Sequence, residues 1–169
     1  DNAFLGASLA SVLFKMDKPS IGLLNVGVED NKGNDEIKEA AEKLRDLSLK
    51  KIINYYGFVE GNDISLGKTN VIVTDGFTGN VALKTAEGTA NFITSELKRA
   101  LNSTIIGKLS SLLNLKNLKK FKNKLDPRLY NGAILLGLNK PVIKSHGSTD
   151  SIGFANSLKV CEQTIRGNL

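Results

Sequence analysis

Cysteine and histidine are almost absent: Cys161 and His146 are the only ones in 169 residues. One cysteine excludes a disulfide scaffold and any cysteine-based zinc cluster. One histidine excludes a histidine-rich metal site as well. No apolar run reaches the roughly 18–20 residues needed to span a bilayer. No charged–apolar–small pattern at the start reads as a secretion signal. These absences point to a reduced, cytoplasmic setting. There is no internal repeat, and the length fits one or two domains. Low hydrophobicity combined with high charge is also missing. With 41% apolar and 24% charged residues, the composition is that of a folded chain and not a disordered one. The chain opens on Asp1, without methionine, on residues that already follow a helical pattern, as a fragment would.

Acid is missing from one long stretch, with none between Glu96 and Asp126. Eight basic residues fall between Lys98 and Lys124, and removing them from the net charge of +6 leaves −2 elsewhere. The basicity therefore belongs to one segment, which suits a single polyanionic contact surface. Within it, Leu101, Ile105, Leu109, Leu112 and Leu113 share one helical side. Leu115, Leu118, Phe121 and Leu125 continue an apolar pattern among the lysines. Such a segment either lies in an anionic membrane surface or packs on the body or a partner subunit. Nucleic acid fits poorly, since the segment has one aromatic residue, no arginine between Arg99 and Arg128, and no recognition module.

The rest of the chain alternates strand and helix patterns. Phe4 to Lys15 reads as a helix stopped by Pro19, with Leu5, Leu9 and Leu13 at helical steps. Ile21 to Val26 is a nearly continuous apolar run, as in a strand covered on both faces. Asn34 is placed to cap a helix whose first turn carries Asp35 and Glu36 and whose buried face is Ile37, Ala41, Leu44 and Leu47. Strands are predicted over 52–59 and 70–74, and a long helix from about Gly79 to Leu101. Strands near 133–136 and 142–144 are predicted to return the chain to the sheet. A last helix follows Asp150, with Phe154, Leu158, Cys161 and Ile165 inward. This order predicts an α/β fold, a mainly parallel sheet flanked by helices, with an amphipathic basic hairpin over 103–125.

Three loops at strand ends carry residues suited to anions. Asp75-Gly-Phe-Thr-Gly-Asn80 joins a strand to the long helix, where Gly76 and Gly79 permit tight turns and the helix start offers unpaired amides. It serves either as an anion cradle or as a shaped turn. Lys32, beside Gly33 and Asn34, either reaches an anionic substrate or charge growing on an oxygen, or sits on a solvated turn. In Lys144-Ser-His-Gly-Ser148, His146 reads as a general acid or base, a hydrogen-bond donor, or a structural residue. Lys144, Ser145 and Ser148 supply further donors.

Gly22-Leu-Leu-Asn-Val-Gly27, Lys32-Gly-Asn34, Thr74-Asp-Gly-Phe-Thr-Gly-Asn-Val81, Leu83-Lys-Thr-Ala-Glu-Gly88, Gly132-Ala, Leu136-Gly137 and Pro141-Val-Ile-Lys-Ser-His-Gly-Ser148 occur together in this order. Together they resemble the bacterial acyl-carrier-protein:phosphate acyltransferases (PlsX), over nearly the whole chain and in that family's C-terminal half. The resemblance implies a Rossmann-like fold similar to phosphotransacetylases and isocitrate-type dehydrogenases, with 1–169 as the C-terminal part of one acyltransferase domain. It implies transfer of a long-chain acyl group from acyl carrier protein to inorganic phosphate, giving acyl phosphate for phospholipid synthesis. It also implies a homodimer, peripheral membrane association through the hairpin by Ile105, Leu109, Leu112 and Leu113, and no metal or cofactor beyond the phosphopantetheine that arrives on the carrier protein. Lys32 and Asn80 carry over as catalytic residues. Gly33, Asn34, Asp75, Gly76, Gly79, Lys144, His146 and Ser148 stand as phosphate- or substrate-binding residues. The alternatives are a phosphotransacetylase- or phosphotransbutyrylase-like enzyme using acyl-CoA, and a basic membrane-binding module without catalysis.

Overall fold

The computed structural model describes residues 1–147 and 149–167. It divides into two compact units. One comprises Asp1–Gly76, Ile134–Ile143 and the described residues of Lys159–Leu169; the other comprises Phe77–Ala133 and Lys144–Leu158.

The first unit contains a three-stranded parallel sheet in the order β2-β1-β3, built from β1 (Ser20–Leu24), β2 (Asn54–Val59) and β3 (Val71–Val73). Ile21 pairs with Tyr55 on one side and with Val71 on the other. The first part of the apolar run read as a strand covered on both faces is the central strand, with Ile21, Leu23 and Leu24 buried; the strand ends at Leu24, two residues before the predicted end, and Val26 is exposed. α2 (Asp35–Leu49) connects β1 to β2 and packs against β2, burying Ala41 and Leu44. α3 (Gly61–Leu66) lies between β2 and β3. Its start is marked by Glu60 and Asp63, which close a capping box; the sequence reading missed this helix.

α1 (Asn2–Phe14) packs on β3 and β1, but not through the predicted leucines. Ala3 and Ala10 are the buried residues, and Ala7 packs on the core. The helix backbone lies close to the sheet: a Cβ on Gly6 would come within 2.7 Å of Val71 Cγ1. Such an approach selects small residues and moves the leucines to the flanks.

β4 (Ala133–Ile134) and β5 (Ile143–Lys144) pair with each other in a separate two-stranded sheet, with Leu135 N–H donating to Val142 C=O at 2.9 Å. The expected return to the main sheet does not occur, because the backbone groups of these two segments pair with each other instead. α4 (Gly76–Asn102) is three residues longer at its start than predicted and buries none of its side chains. α5 (Ile105–Leu113) and α6 (Leu115–Lys124) form the hairpin, broken at Asn114.

α7 (Ser151–Arg166) turns a different face inward from the one predicted. Gly153, Ser157 and Thr164 are buried, whereas Phe154, Leu158 and Ile165 are exposed. The buried hydroxyls are satisfied locally: Ser157 donates to Gly153 C=O at 3.2 Å and Thr164 to Val160 C=O at 2.8 Å. That bonding removes the penalty that made an inward polar face improbable.

Candidate functional site

In the first unit, strand order reverses between β1 and β3, and the loops leaving their carboxyl ends emerge at one edge of the sheet. That is where open α/β sheets bind ligands. The loop after β1 carries Lys32, Gly33 and Asn34. Buried Asn25, at the end of the strand, fixes its course: its side-chain oxygen accepts from Val26 N–H at 2.9 Å and its amide donates to Lys32 C=O at 3.2 Å. Gly33 has φ +85°, and a Cβ there would collide with Asn25 Oδ1. Asn34 caps α2, accepting from Ile37 N–H at 2.9 Å. Asp30, in the same loop, pairs with Arg45 of α2. The Lys32 side chain is exposed and forms no ion pair among the described residues. The backbone beneath it is therefore held while its ammonium faces solvent.

The turn after β3 is shorter than expected. Thr74 and Asp75 make it alone, and Gly76 through Gly79 form the first turn of α4. Gly76 and Gly79 are thus helical and not loop residues; a Cβ on Gly76 would meet nothing within 4 Å. The amides expected of a glycine loop are here those of the first turn of a helix.

The second unit carries a half-open pocket of about 740 Å³, within the usual size for small-molecule sites. Asn80, Lys84 and Glu87 line it from successive turns of α4, joined by Arg128, Lys144 and His146 from the other wall. Lys84 Nζ lies 2.7 Å from Glu87 Oε2 and 3.4 Å from His146 Nε2. Glu87 is the sole carboxylate among the described lining residues.

Two polar hubs hold the His146 wall. Asn131 accepts from His146 N–H at 3.0 Å, and its amide nitrogen lies 2.8 Å from Ser145 Oγ, 2.9 Å from Thr149 Oγ1 and 2.9 Å from Gly153 C=O. Arg128 donates to both oxygens of Asp126 and, at 2.8 Å, to Asp150. Asn156 donates to Arg128 C=O at 2.9 Å. Hydrogen bonds from the Arg128 side chain hold Asp126 below the usual carboxylate range. Asp150 is lowered first by the Gly153 amide and then by Arg128. The two carboxylates in turn push the guanidinium pKa upward.

The hairpin exposes its apolar residues: Ile105, Leu109, Leu112 and Leu113 all face solvent. No helix of the described residues is long and apolar enough to cross a membrane.

Asn80, Lys144 and His146 therefore meet around one cavity. Lys32, Gly33 and Asn34 belong with β1 in the first unit, as do Asp75 and Gly76 after β3. Ser148 lies outside the described residues. Sequence reasoning missed Asn25, Lys84, Glu87, Arg128 and Asn131 as site residues. Signals existed for some of them. Asn25 interrupts a buried apolar run, and Lys84 and Glu87 follow Asn80 at steps of four and three, on one helix face.

Residues 1–169 match the family model described as fatty acid synthesis protein. The phosphate acyltransferase of Pelagibacter ubique is 57% identical over the whole chain and 50% of its own length. That of Paramagnetospirillum magneticum is 51% identical over 96% of the chain and 46% of its own length. That of Sinorhizobium fredii is 46% identical over the whole chain and 48% of its own length. The chain spans about half the length of the curated relatives it matches.

Proposed function

Given that the chain belongs to the fatty acid synthesis protein family, with relatives named phosphate acyltransferase, we propose that the whole protein transfers a long-chain acyl group from acyl carrier protein to inorganic phosphate. The cavity of the second unit, where an amide, two lysines and an imidazole converge, is the observation that most favours this reading. A phosphate oxygen attacks the thioester carbonyl, the C–O bond forms, and the C–S bond then breaks. The phosphopantetheine thiolate departs and takes up a proton. A thioester is already activated, so the protein's tasks are to position phosphate and stabilise the tetrahedral oxyanion. No covalent enzyme intermediate is required. Asn80 donates its amide N–H to phosphate or to the carbonyl oxygen. Lys32, in the first unit, enters the proposal through the resemblance alone, as a cation for phosphate or for the developing charge. Lys144 and His146 add donors to the cavity.

The product is an amphiphile, and the exposed apolar residues of the basic hairpin suit a protein that works at a membrane surface as a peripheral, cytoplasmic homodimer. The hairpin's apolar side dips among acyl chains while its lysines meet anionic headgroups. Those lysines also suit an acidic carrier protein. The phosphopantetheine arm enters with the substrate.

The test incubates full-length protein with inorganic phosphate and either palmitoyl carrier protein or short-chain acyl-CoA. Acyl phosphate should form from the carrier-protein thioester. Lys32→Ala and Asn80→Ala should each cut turnover while leaving liposome binding intact. A clear preference for short acyl-CoA would refute the proposed substrate. Full turnover in both variants would refute the assigned residues.

A further inference from the structure

Three cationic side chains of the second unit line its cavity, and they are not equivalent. Arg128 is committed to two carboxylates, Asp126 and Asp150. Lys144 stands at the end of β5. Lys84 lies one helical turn after Asn80, on the same face of α4, so the two side chains reach the same space. Its ammonium offers three donors and no acceptor. Glu87 takes one at 2.7 Å, and His146 Nε2 lies 3.4 Å from the nitrogen. Among the described residues these are the partners of Lys84, and a third N–H is left over.

We propose that Lys84 binds inorganic phosphate directly, exchanging Glu87 for the ligand. Glu87 is the placeholder: it holds the ammonium against the cavity wall when no anion is bound. Phosphate dianion carries twice the charge of the carboxylate it replaces, so the exchange favours a dianionic oxyacid over a monoanion. The neighbouring Asn80 amide supplies a neutral donor to a further phosphate oxygen. The inference rests on the reading of this cavity as the phosphate site of an acyltransferase.

Calorimetric titration of full-length protein with inorganic phosphate tests it without requiring turnover. Lys84→Met should weaken binding by about tenfold or more, the loss expected for a charge-assisted hydrogen bond. Lys84→Arg should lose less than Lys84→Met, because the charge toward phosphate is kept. Glu87→Gln should tighten binding, since the competing carboxylate is gone. A merely structural ion pair would give the opposite sign in Glu87→Gln. Wild-type phosphate affinity in Lys84→Met, weakened affinity in Glu87→Gln, or no measurable phosphate binding by the wild-type protein would each overturn the proposal. Turnover of palmitoyl carrier protein scores the parent reading separately. Acyl phosphate production with phosphate affinity indifferent to Lys84→Met removes Lys84 and keeps the reading. Phosphate affinity that depends on Lys84, with no thioester cleavage, does the reverse.

Discussion

Replacing Asn131 by alanine should loosen the His146 wall without unfolding the protein. The side chain accepts from His146 N–H and places its amide nitrogen within 2.9 Å of Ser145 Oγ, Thr149 Oγ1 and Gly153 C=O. An amide has two hydrogens, so two of those three are served fully at any moment and the third is shared. Truncation therefore removes about three hydrogen bonds, each contributing roughly 0.5–1.5 kcal/mol net. Compensation is partial, because Gly153 C=O also accepts from Ser157 Oγ and the Ser145 and Thr149 hydroxyls can turn to water. A local cost of about 2 kcal/mol follows, which is near thirtyfold in an opening equilibrium. Amide hydrogen exchange reads that equilibrium directly. Peptides covering 145–153 should exchange some thirtyfold faster in Asn131→Ala, while peptides from β1 and α2 exchange at the wild-type rate. Asn131→Asp keeps the acceptor for His146 and loses the donors, and should fall between. Unchanged exchange over 145–153 would show that the network holds nothing. Equal acceleration in β1 and α2 would show that Asn131 supports global stability and not this wall.

Three further outcomes are expected. In the hairpin, Leu109→Glu with Leu113→Glu should reduce flotation of full-length protein with anionic liposomes by about a hundredfold, from two apolar side chains no longer buried in lipid. The thermal midpoint should not move, because both side chains already face water at 58% and 80% exposure; wild-type flotation would contradict the membrane role. For Asp126 and Asp150, whose carboxyls are held below their ordinary values, stabilisation is complete above the unfolded-state pKa, near ~3.9. It is lost as pH falls through the lower folded value. Protection of residues 126–131 and 150–153 should therefore stay flat from pH 7 to about 5 and fall below about 4, with Asp126→Asn and Asp150→Asn shrinking that acid limb; a fall between pH 5 and 7 would contradict it. Gly33→Ala, at φ +85° and against Asn25 Oδ1, should destabilise the first unit by more than about 1 kcal/mol in urea titration; no change would show that the loop adapts.

Strands and caps were legible where local chemistry decides structure. The Ile21–Val26 run announced a central strand because only burial on both faces tolerates it, and Asn34 announced α2 because a side-chain acceptor must stand before the first free amides. Gly76 and Gly79 misled because glycine permits a turn without demanding one. The face of α7 was misread because hydrophobicity alone chose Phe154 and Leu158, while close packing at Gly153 and internally bonded Ser157 and Thr164 chose the other side. The alanine stripe of α1 lost to its leucines for the same reason: contact distance to a strand is a tertiary fact. Of the cavity, the α4 side was open to a helical count from Asn80. The Asn131 hub was not, since it joins residues up to 22 positions apart through hydroxyls and carbonyls that leave no pattern in the chain.

Asn131 is followed by Gly132, the single Asn–Gly pair of the sequence. That dipeptide is the chemical weak point of ageing polypeptides. With no side chain in the way, the glycine nitrogen can attack the asparagine side-chain carbonyl carbon and expel ammonia, and water then opens the resulting cyclic imide to aspartate or its isomer. Here the same amide is engaged on both its oxygen and its nitrogen, and those bonds must break before it can turn to cyclise. The folded wall is thus its own preservative. Damage at this position should accumulate in unfolded or heat-stressed stocks well before native ones, as peptide mass spectrometry of 126–140 would register.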